Sequence, residues 1–462
     1  MKQLITLLIF VPLLMSAQTD STRFLLVDYY RLVRQNHPIA KQAELIRSRG
    51  TLAVSQARGA FDPKLISDYN AKQFEDKNYY DLWNSYVEIP TLLNVDLKAG
   101  YERNSGVFLN PERNVPSSGL YYAGVSVPIG EGLFVNQRSI DLKKSKLTEQ
   151  ELQMESEMVL NNLFLDANFA YWHWYEAYQK LAIVRSNLAL VRQRFDGIRE
   201  GVLNGANAAI DSVETLIQVQ QWSNFLQKAE VEYQNSLLLM QNFIWENEGI
   251  LISSIPSATG DEVVTNLTYY TDYAFSRHPE LRKLSISGAK LDLDRRLSAE
   301  QLKPTIDLNY NALLSESNSL EESAFLSNNY KAGVNFSFPL LIRKERAKLK
   351  MTKIKREEND LKLNQKRRTV TNKVEQSYNK VLRLQTMITQ QEIMIQNYEF
   401  MLQGERIKFG NGESSIFLIN SRENKKLDAE IKLVELRAEL GQSIGVLKWS
   451  SGILAEEQRN LD

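Results

Sequence analysis

The sequence has no cysteine, only three histidines and, beyond its first residues, no long apolar run. The absence of cysteine excludes disulfides, thiolate metal sites and a cysteine nucleophile. Because no stretch of eighteen apolar residues follows the N-terminus, we expect no transmembrane helix in the mature chain. The 56 basic and 56 acidic residues balance, so net charge does not favour nucleic acid as a partner. Phosphate-binding loops, metal-ligand spacings and nucleophile elbows are also missing, so we expect no enzymatic activity and no cofactor.

The N-terminal residues 1–17 have the pattern of a secretory signal peptide. Lys2 precedes an apolar run from Leu4 to Leu14, and Ala17 provides a small residue for cleavage. The run is too short to span a membrane. We therefore expect export with cleavage near Ala17, and no lipid anchor because no cysteine follows that position.

A heptad pattern predicts one very long helix over residues 138–203. Apolar residues recur every seven positions over more than five heptads, which is typical of a coiled coil. The main series is Leu160, Ala167, Trp174, Leu181, Leu188, Phe195 and Val202. At ~1.5 Å per residue this helix is about 100 Å long, so the molecule is expected to be a rod or tube.

The two halves of the chain repeat one another, which has to be recognised before a fold is assigned. His37-Pro38 recurs as His278-Pro279, 241 positions later, and a helical pattern of about twenty residues follows each pair. Equivalent positions before proline favour a helix-start role for both histidines over a catalytic one. The third histidine, His173, lies in an aromatic cluster, for which interhelical packing is preferred to a ligand cage.

A second long helix, 342–408, carries the same apolar series as the first at an offset of 207 residues. The same offset relates Asn204-Gly205 to Asn411-Gly412. Both residue types tolerate positive φ where a helix stops and turns. We therefore interpret these pairs as the tips of two helical hairpins, each with a returning helix.

Between the shorter and longer helices of each half, the period changes to alternation in residues 64–128 and 305–339. Runs of about ten residues with one apolar and one polar face are typical of transmembrane β-strands. A soluble antiparallel hairpin has the same pattern, so the strands alone leave both open. About 30 extra residues lie in the first half, since the offset falls to 211 between Pro128 and Pro339. Helices on one side of a membrane require an even number of crossings, which leaves two or four strands in the first half.

This organisation divides the chain into five segments. They are a signal peptide (1–17), a first repeat (18–246) with long helix 138–203 and tip 204–205, a linker (247–262), a second repeat (263–450) with long helix 342–408 and tip 410–412, and a C-terminal tail (451–462).

Two charged segments are candidates for function. Asp211 and Glu214 follow the first tip, three residues apart and therefore neighbours on one helical face. Around a symmetric oligomer they would form a ring that selects cations, but acids near a helix N-terminus also stabilise it, and both interpretations stay open.

Residues 343–368 hold twelve basic and four acidic residues. A solvated collar facing anionic head groups is preferred there to a nucleic-acid patch, because an exported chain rarely meets nucleic acid.

The order and duplication of these features resemble the outer-membrane efflux (TolC) family over nearly all of the mature chain. The paired His-Pro starts, the strands before each long helix and the tips 205–214 (GANAAIDSVE) and 412–423 (GESSIFLINSRE) carry the resemblance. It implies a homotrimer in which each protomer gives four strands to a twelve-stranded barrel above a twelve-helix tunnel. It also implies a periplasmic adaptor and an inner-membrane pump as partners, with the tips Asn204, Gly205, Asn411 and Gly412 docking to the adaptor.

The second tip departs from the family pattern. The best-studied members have aspartates there, whereas this chain has Phe417 or Leu418 and then Asn420. Either an acidic constriction of the tunnel comes from Asp211 and Glu214 or the tunnel has none, and Asn420 is the candidate constriction residue of the second tip.

Physical reasoning leads to the same fold class. About four strands cannot close a barrel, and open sheet edges are not tolerated in lipid, so several copies must share one sheet. The expected protein is mainly α with a membrane β-barrel, a tandem repeat of long coiled-coil hairpins that trimerises. Its expected function is that of an outer-membrane channel in a tripartite efflux or secretion system, conducting small molecules passively from periplasm to exterior. The alternative is a periplasmic coiled-coil adaptor or scaffold of a secretion complex. Adaptors carry one helical hairpin within β-rich domains, whereas this chain has two hairpins and each of them follows strands. A secreted hydrolase would need titratable residues that the sequence does not bring together.

Overall fold

The computed structural model describes residues 23–245, 254–257, 264–314 and 329–459. The predicted signal peptide (1–17) and most of the linker (247–262) lie outside them. The helices are α1 (Leu26–Asn36), α2 (Pro38–Arg58), α3 (Gln137–Leu203), α4 (Ala209–Ile244), α5 (Leu267–Arg277), α6 (Pro279–Glu300), α7 (Arg343–Gly410), α8 (Ile416–Ser451) and α9 (Leu454–Arg459). The strands are β1 (Arg23–Phe24), β2 (Lys64–Phe74), β3 (Lys77–Pro90), β4 (Asp96–Ser105), β5 (Leu120–Pro128), β6 (Ile255–Pro256), β7 (Thr305–Leu314) and β8 (Tyr330–Ser337).

Both His-Pro pairs lie at helix starts. Pro38 and Pro279 occupy the first helical positions of α2 and α6, where a missing N–H leaves no bond unmade. The Nδ1 atoms of His37 and His278 accept hydrogen bonds from the backbone N–H two residues on, at 3.1 and 3.3 Å. Burial lowers the pKa of both histidines, that of His278 to about 4. Both side chains therefore act as neutral helix caps.

The long helices α3 and α7 contain 67 and 68 residues, and each packs against its returning helix, α4 or α8. The heptad residues Leu181 and Leu188 are buried against Trp222 of α4. In the second repeat, Val374 and Val381, which correspond to Ala167 and Trp174, are buried in a cluster with Leu447 of α8. No helix in the described part of the chain is long and apolar enough to cross a membrane. The predicted fold class of tandem helical hairpins with an antiparallel sheet is confirmed.

The largest apolar cluster lies midway along α3, where Tyr171, Trp172, Trp174 and Tyr175 are buried and His173 is exposed. The hydroxyl of Tyr171 donates to the carbonyl of Phe24 in β1 at 2.7 Å. Helix α8 approaches this cluster so closely that a Cβ on its Gly441 would lie 1.9 Å from the indole of Trp172. The aromatic residues therefore join the two repeats by packing.

The predicted C-terminal tail also packs on the helices. Gly452 ends α8 with φ +84°, and the buried residues Ile453 and Leu454 follow it into α9. The side chain of Arg34 in α1 donates to the carbonyl of Gln458 at 2.9 Å. The end of the chain thus ties α1 to α8.

The longer strands form one antiparallel sheet in the order β2-β3-β4-β5-β7-β8. Of the two or four strands left open for the first repeat, four are found. With two from the second repeat, the described sheet has six strands, where the resemblance implied four per chain. The additional residues of the first repeat add two strands to the sheet. Residues 77–90 were not foreseen as a strand, but they pair with β2 on one side and with β4 on the other. Strands β5 and β7 join the repeats, with Ala123 opposite Ala312.

The two faces of this six-stranded sheet differ in chemistry and in exposure. One face is apolar and open, and Leu65, Val334 and Phe336 on it are 66–77% exposed. The other face is polar and more enclosed. On it Lys98 lies 3.6 Å from Glu88, and the hydroxyl of Tyr122 donates to Asn84 at 2.9 Å. The sheet thus has its exposed apolar side chains on one surface and a hydrogen-bonded polar surface behind them.

Candidate functional site at the helical tips

The ends of α3 and α7 turn with the same backbone geometry. Gly205 and Gly412 have φ +74° and +78°, in the left-handed region that favours glycine. The N–H groups of the next residues, Ala206 and Glu413, donate to carbonyls five residues back at 2.8 and 2.9 Å. These are the bonds of a Schellman motif. Helix α7 runs through Gly410, so the second turn begins at Asn411.

Both tips are open to solvent. Asn204, Gly205, Asn411 and Gly412 are all exposed. A Cβ added at either glycine would meet no atom within 4 Å. The tips are therefore accessible surfaces with a fixed backbone shape.

The two acids predicted near the first tip have different surroundings. Helix α4 begins at Ala209, so Asp211 lies in its first turn, where a carboxylate interacts favourably with the helix dipole. Glu214 lies further along and faces α8 of the second repeat, where the side-chain amide of Asn420 donates to it at 3.4 Å. Asn420 is only 5% exposed. The structure therefore brings Glu214 and Asn420 together, while Asp211 stays at the helix start.

An arginine that the sequence analysis missed connects these residues. Arg194 of α3 donates to Asn420 at 2.8 Å and to both carboxylate oxygens of Glu423 at 2.5 Å. Arg406 of α7 donates to the same carboxylate at 2.8 Å. Glu423 could have been found, because it follows Asn420 by three residues and so shares its helical face. Arg194 is 226 positions from Asn420 and gives no local signal.

An open cavity of about 310 Å³ adjoins this network. Its walls are the two arginines and the apolar side chains Phe409, Ile416 and Ile419. Since Glu423 holds both guanidinium groups, the cavity combines paired charge with an apolar surface.

Further ion pairs fix the second hairpin above its tip. Glu405 accepts a hydrogen bond from Ser414 at 2.5 Å and one from Arg422 at 3.5 Å. The hydrogen bond from Ser414 is the main cause that lowers the pKa of Glu405. Lys426 and Glu399 lie 2.6 Å apart, and this contact lowers the pKa of that glutamate as well. These acids are ionised at neutral pH.

The basic segment 343–368 lies in the first third of α7, far from the tips along the chain. Part of its charge is paired with α6, since Arg356 lies 3.2 Å from Asp292 and Lys366 lies 2.6 Å from Glu280. Throughout the residues that the structure describes, no cluster of three or more histidines and acids is placed to hold a metal.

Comparison with known families identifies the second half of the chain. Residues 272–447 match the family described as outer membrane efflux protein. The second repeat is therefore similar to this family. The predicted resemblance is thereby confirmed, and the matched residues include the second hairpin and its tip.

Solved structures extend the likeness in fold to nearly the whole chain. The Campylobacter jejuni CmeC outer membrane channel is 12% identical with a TM-score of 0.65, covering 95% of this chain and 90% of its own. The Vibrio cholerae outer membrane protein VceC is 12% identical with a TM-score of 0.66, covering 92% and 96%. The open state of the Neisseria gonorrhoeae MtrE outer membrane channel is 11% identical with a TM-score of 0.61, covering 92% and 88%. Among curated protein sequences none matches this chain.

Proposed function

We propose that this protein is the outer-membrane channel of a tripartite efflux or secretion system. Three copies enclose one conduit, through which small molecules pass passively from the periplasm to the exterior. An inner-membrane pump supplies the energy and a periplasmic adaptor joins the two. The channel itself performs no reaction.

The observation that carries this proposal is the exposed apolar face of the six-stranded sheet, placed between the ends of long helices. Exposed apolar area of this extent is unfavourable in water and marks a surface that lipid or protein covers. The alternation of apolar and polar faces is that of transmembrane strands around an aqueous lumen. Each of α3 and α7 is about 100 Å long, which is enough to carry the conduit far from the membrane.

The tips are proposed as the constriction and docking region. Asp211, Glu214 and Asn420 lie where the hairpins end, and Arg194 and Glu423 hold the hairpins together there. Opening the conduit at this end would separate α3 from α8 and break these bonds. The glycine turns at 205 and 412 offer the adaptor two equivalent backbone surfaces.

The adaptor alternative is disfavoured by the same architecture. Both helical hairpins follow strands of one continuous sheet, and the whole chain, not one hairpin, superimposes on outer-membrane channel folds. An adaptor would also have no use for an apolar sheet face open to its surroundings.

Cell fractionation followed by mass measurement in detergent tests the proposal. We expect the protein in the outer-membrane fraction and a trimeric mass after extraction. Planar bilayers should then show ion-conducting events from the purified trimer. A stable monomer, or recovery with the soluble periplasmic proteins, would contradict the channel function.

A further inference from the structure

The additional hairpin β2–β3 changes the barrel that the proposed channel can form. Four strands from each of three copies would close a twelve-stranded barrel, but the sheet formed by the described residues of this chain has six strands. The hairpin β2–β3 either forms part of the barrel wall, paired with the other strands, or folds away from the barrel. Three observations distinguish these possibilities.

The first observation is the register. Residues Lys64 to Lys72 of β2 pair in sequence with β3, up to a bulge at Gln73 near the hairpin turn. Strand β3 pairs with β4 from Asp81–Ser105 down to Pro90–Asp96. The apolar face continues without a change of side, since Leu65 lies opposite Val87 and Ile89 lies opposite Leu97. A hairpin that folded into the lumen or over its mouth would have no reason to keep this alignment.

The second observation is a row of aromatic side chains on the apolar face, one from each of the six strands. They are Tyr69, Trp83, Tyr101, Tyr121, Tyr310 and Tyr330. The ring centroids of Trp83 and Tyr101 are 6.0 Å apart, and those of Tyr101 and Tyr121 are 4.9 Å apart. Aromatic girdles mark the membrane interfaces of barrels, and this one runs through the additional hairpin.

The third observation is the pairing of polar groups on the apolar face of the hairpin. The hydroxyls of Ser67 and Ser85 are 2.6 Å apart, and the indole N–H of Trp83 donates to Ser67 at 3.1 Å. The hydroxyl of Tyr69 donates to Asp81 at 3.1 Å. A polar group that faces lipid has to be satisfied within the protein, and these groups satisfy one another.

We propose that β2–β3 is part of the barrel wall and that β2 of one copy pairs with β8 of the next, so that three copies close an eighteen-stranded barrel. The proposal rests on the channel function above and specifies its architecture. Strand β2 leads away from the helices and β8 leads back to them, so the two edges meet antiparallel. Since barrel diameter grows roughly linearly with strand number, the wall is about 1.5-fold wider than a twelve-stranded one. Its polar face then lines a water-filled lumen.

Disulfide trapping tests the proposed pairing of β2 in one copy with β8 in the next. The chain has no cysteine of its own, so every disulfide formed comes from the introduced residues. Within one copy β2 and β8 are five strands apart, about 24 Å, so a link between them has to join two copies. Continuity of the apolar face places odd-numbered residues of β2 beside even-numbered residues of β8. We would combine Ala332→Cys with cysteine at Leu65, Ser67, Tyr69 or Ala71 in turn and oxidise the trimer in membranes.

At least one of these four pairs should convert most of the protein to covalent dimers and trimers on a non-reducing gel. Asn70→Cys with Ala332→Cys is the matched control; it lies on the opposite face and should stay monomeric on the gel. Links between Ala99→Cys in β4 and Ala332→Cys would place β4 at the joint and overturn the proposal while leaving the channel function intact. A trimer by mass that forms no β2–β8 link would also overturn it. A monomer by mass would instead contradict the channel function itself.

Discussion

Removing the guanidinium of Arg194 should loosen the tips without unfolding the chain. In Arg194→Met, Glu423 keeps only Arg406, because both bonds from Arg194 to its carboxylate are lost together with the bond to Asn420. The Glu423 side chain is 10% exposed and that of Arg194 18%. Breaking a fully buried pair costs about 3–5 kcal/mol.

The expected cost here is smaller than that limit. Arg406, 52% exposed, stays beside Glu423 and continues to compensate its charge. We therefore expect the closed tip to lose about 1–3 kcal/mol relative to its opened form. A loss of about 2 kcal/mol raises exchange through local opening roughly 30-fold.

Hydrogen exchange of the purified protein measures this loss directly. Amides of residues 195–203 and 411–420 should exchange faster in Arg194→Met, whereas the sheet should keep its protection. Arg199→Met is the matched control, since its pair with Asp196 is more than half exposed and is worth about 0–1 kcal/mol. In a double-mutant cycle, the double variant Arg194→Met with Glu423→Gln should destabilise the closed tip by less than the sum of the two single variants, with a difference of about 1 kcal/mol or more. Unchanged tip exchange, or strict additivity, would refute the assignment of Arg194 as the residue that joins the hairpins.

Three further predictions concern single sites. Gly412→Ala should destabilise the second tip by about 1 kcal/mol because of its positive φ. Gly404→Ala lies inside α7 with no atom near its added Cβ and should stabilise the helix; urea titration of the purified protein compares the two variants. The free energy of unfolding should fall as pH is lowered from about 6.5 toward 4, by up to about 3 kcal/mol per chain, because His278 is kept neutral in the folded state while the unfolded state takes up the proton. His278→Asn retains a capping acceptor and should flatten this dependence; an unaltered pH profile would exclude His278 as its source. Asp211→Asn with Glu214→Gln should change conductance or cation preference in planar bilayers, and identical currents would leave these acids as helix and network residues only.

The helices could be predicted because their signals are local and repeated. The heptad series through Trp174 and the His-Pro pairs each specify a helix or its start without reference to the rest of the chain. The offset of 207 residues between Gly205 and Gly412 then related the tips before any geometry was known. The structure adds the hydrogen bonds that close these turns.

Strand β3 was missed because two polar residues interrupt its apolar face. Asp81 and Ser85 lie on the same side as Trp83 and Val87, so the alternation reads as irregular. Their partners, Tyr69 and Ser67, lie on β2 and become visible only when the strands are paired. Arg194 could not be predicted for the same reason, since its hydrogen-bond partners, Asn420 and Glu423, lie in the other repeat.

The pairing of β5 with β7 has a consequence for how the molecule is made. Residues 129–304 separate these two strands, so β5 meets β7 only after a loop of this length has closed. Closing so long a loop is slow compared with winding a helix. The helical hairpins should therefore be complete first, and the strands of the first repeat have to wait with an unpaired edge. During this interval the unpaired edge can pair with other chains, so aggregation on refolding should increase with protein concentration until β7 has paired with β5.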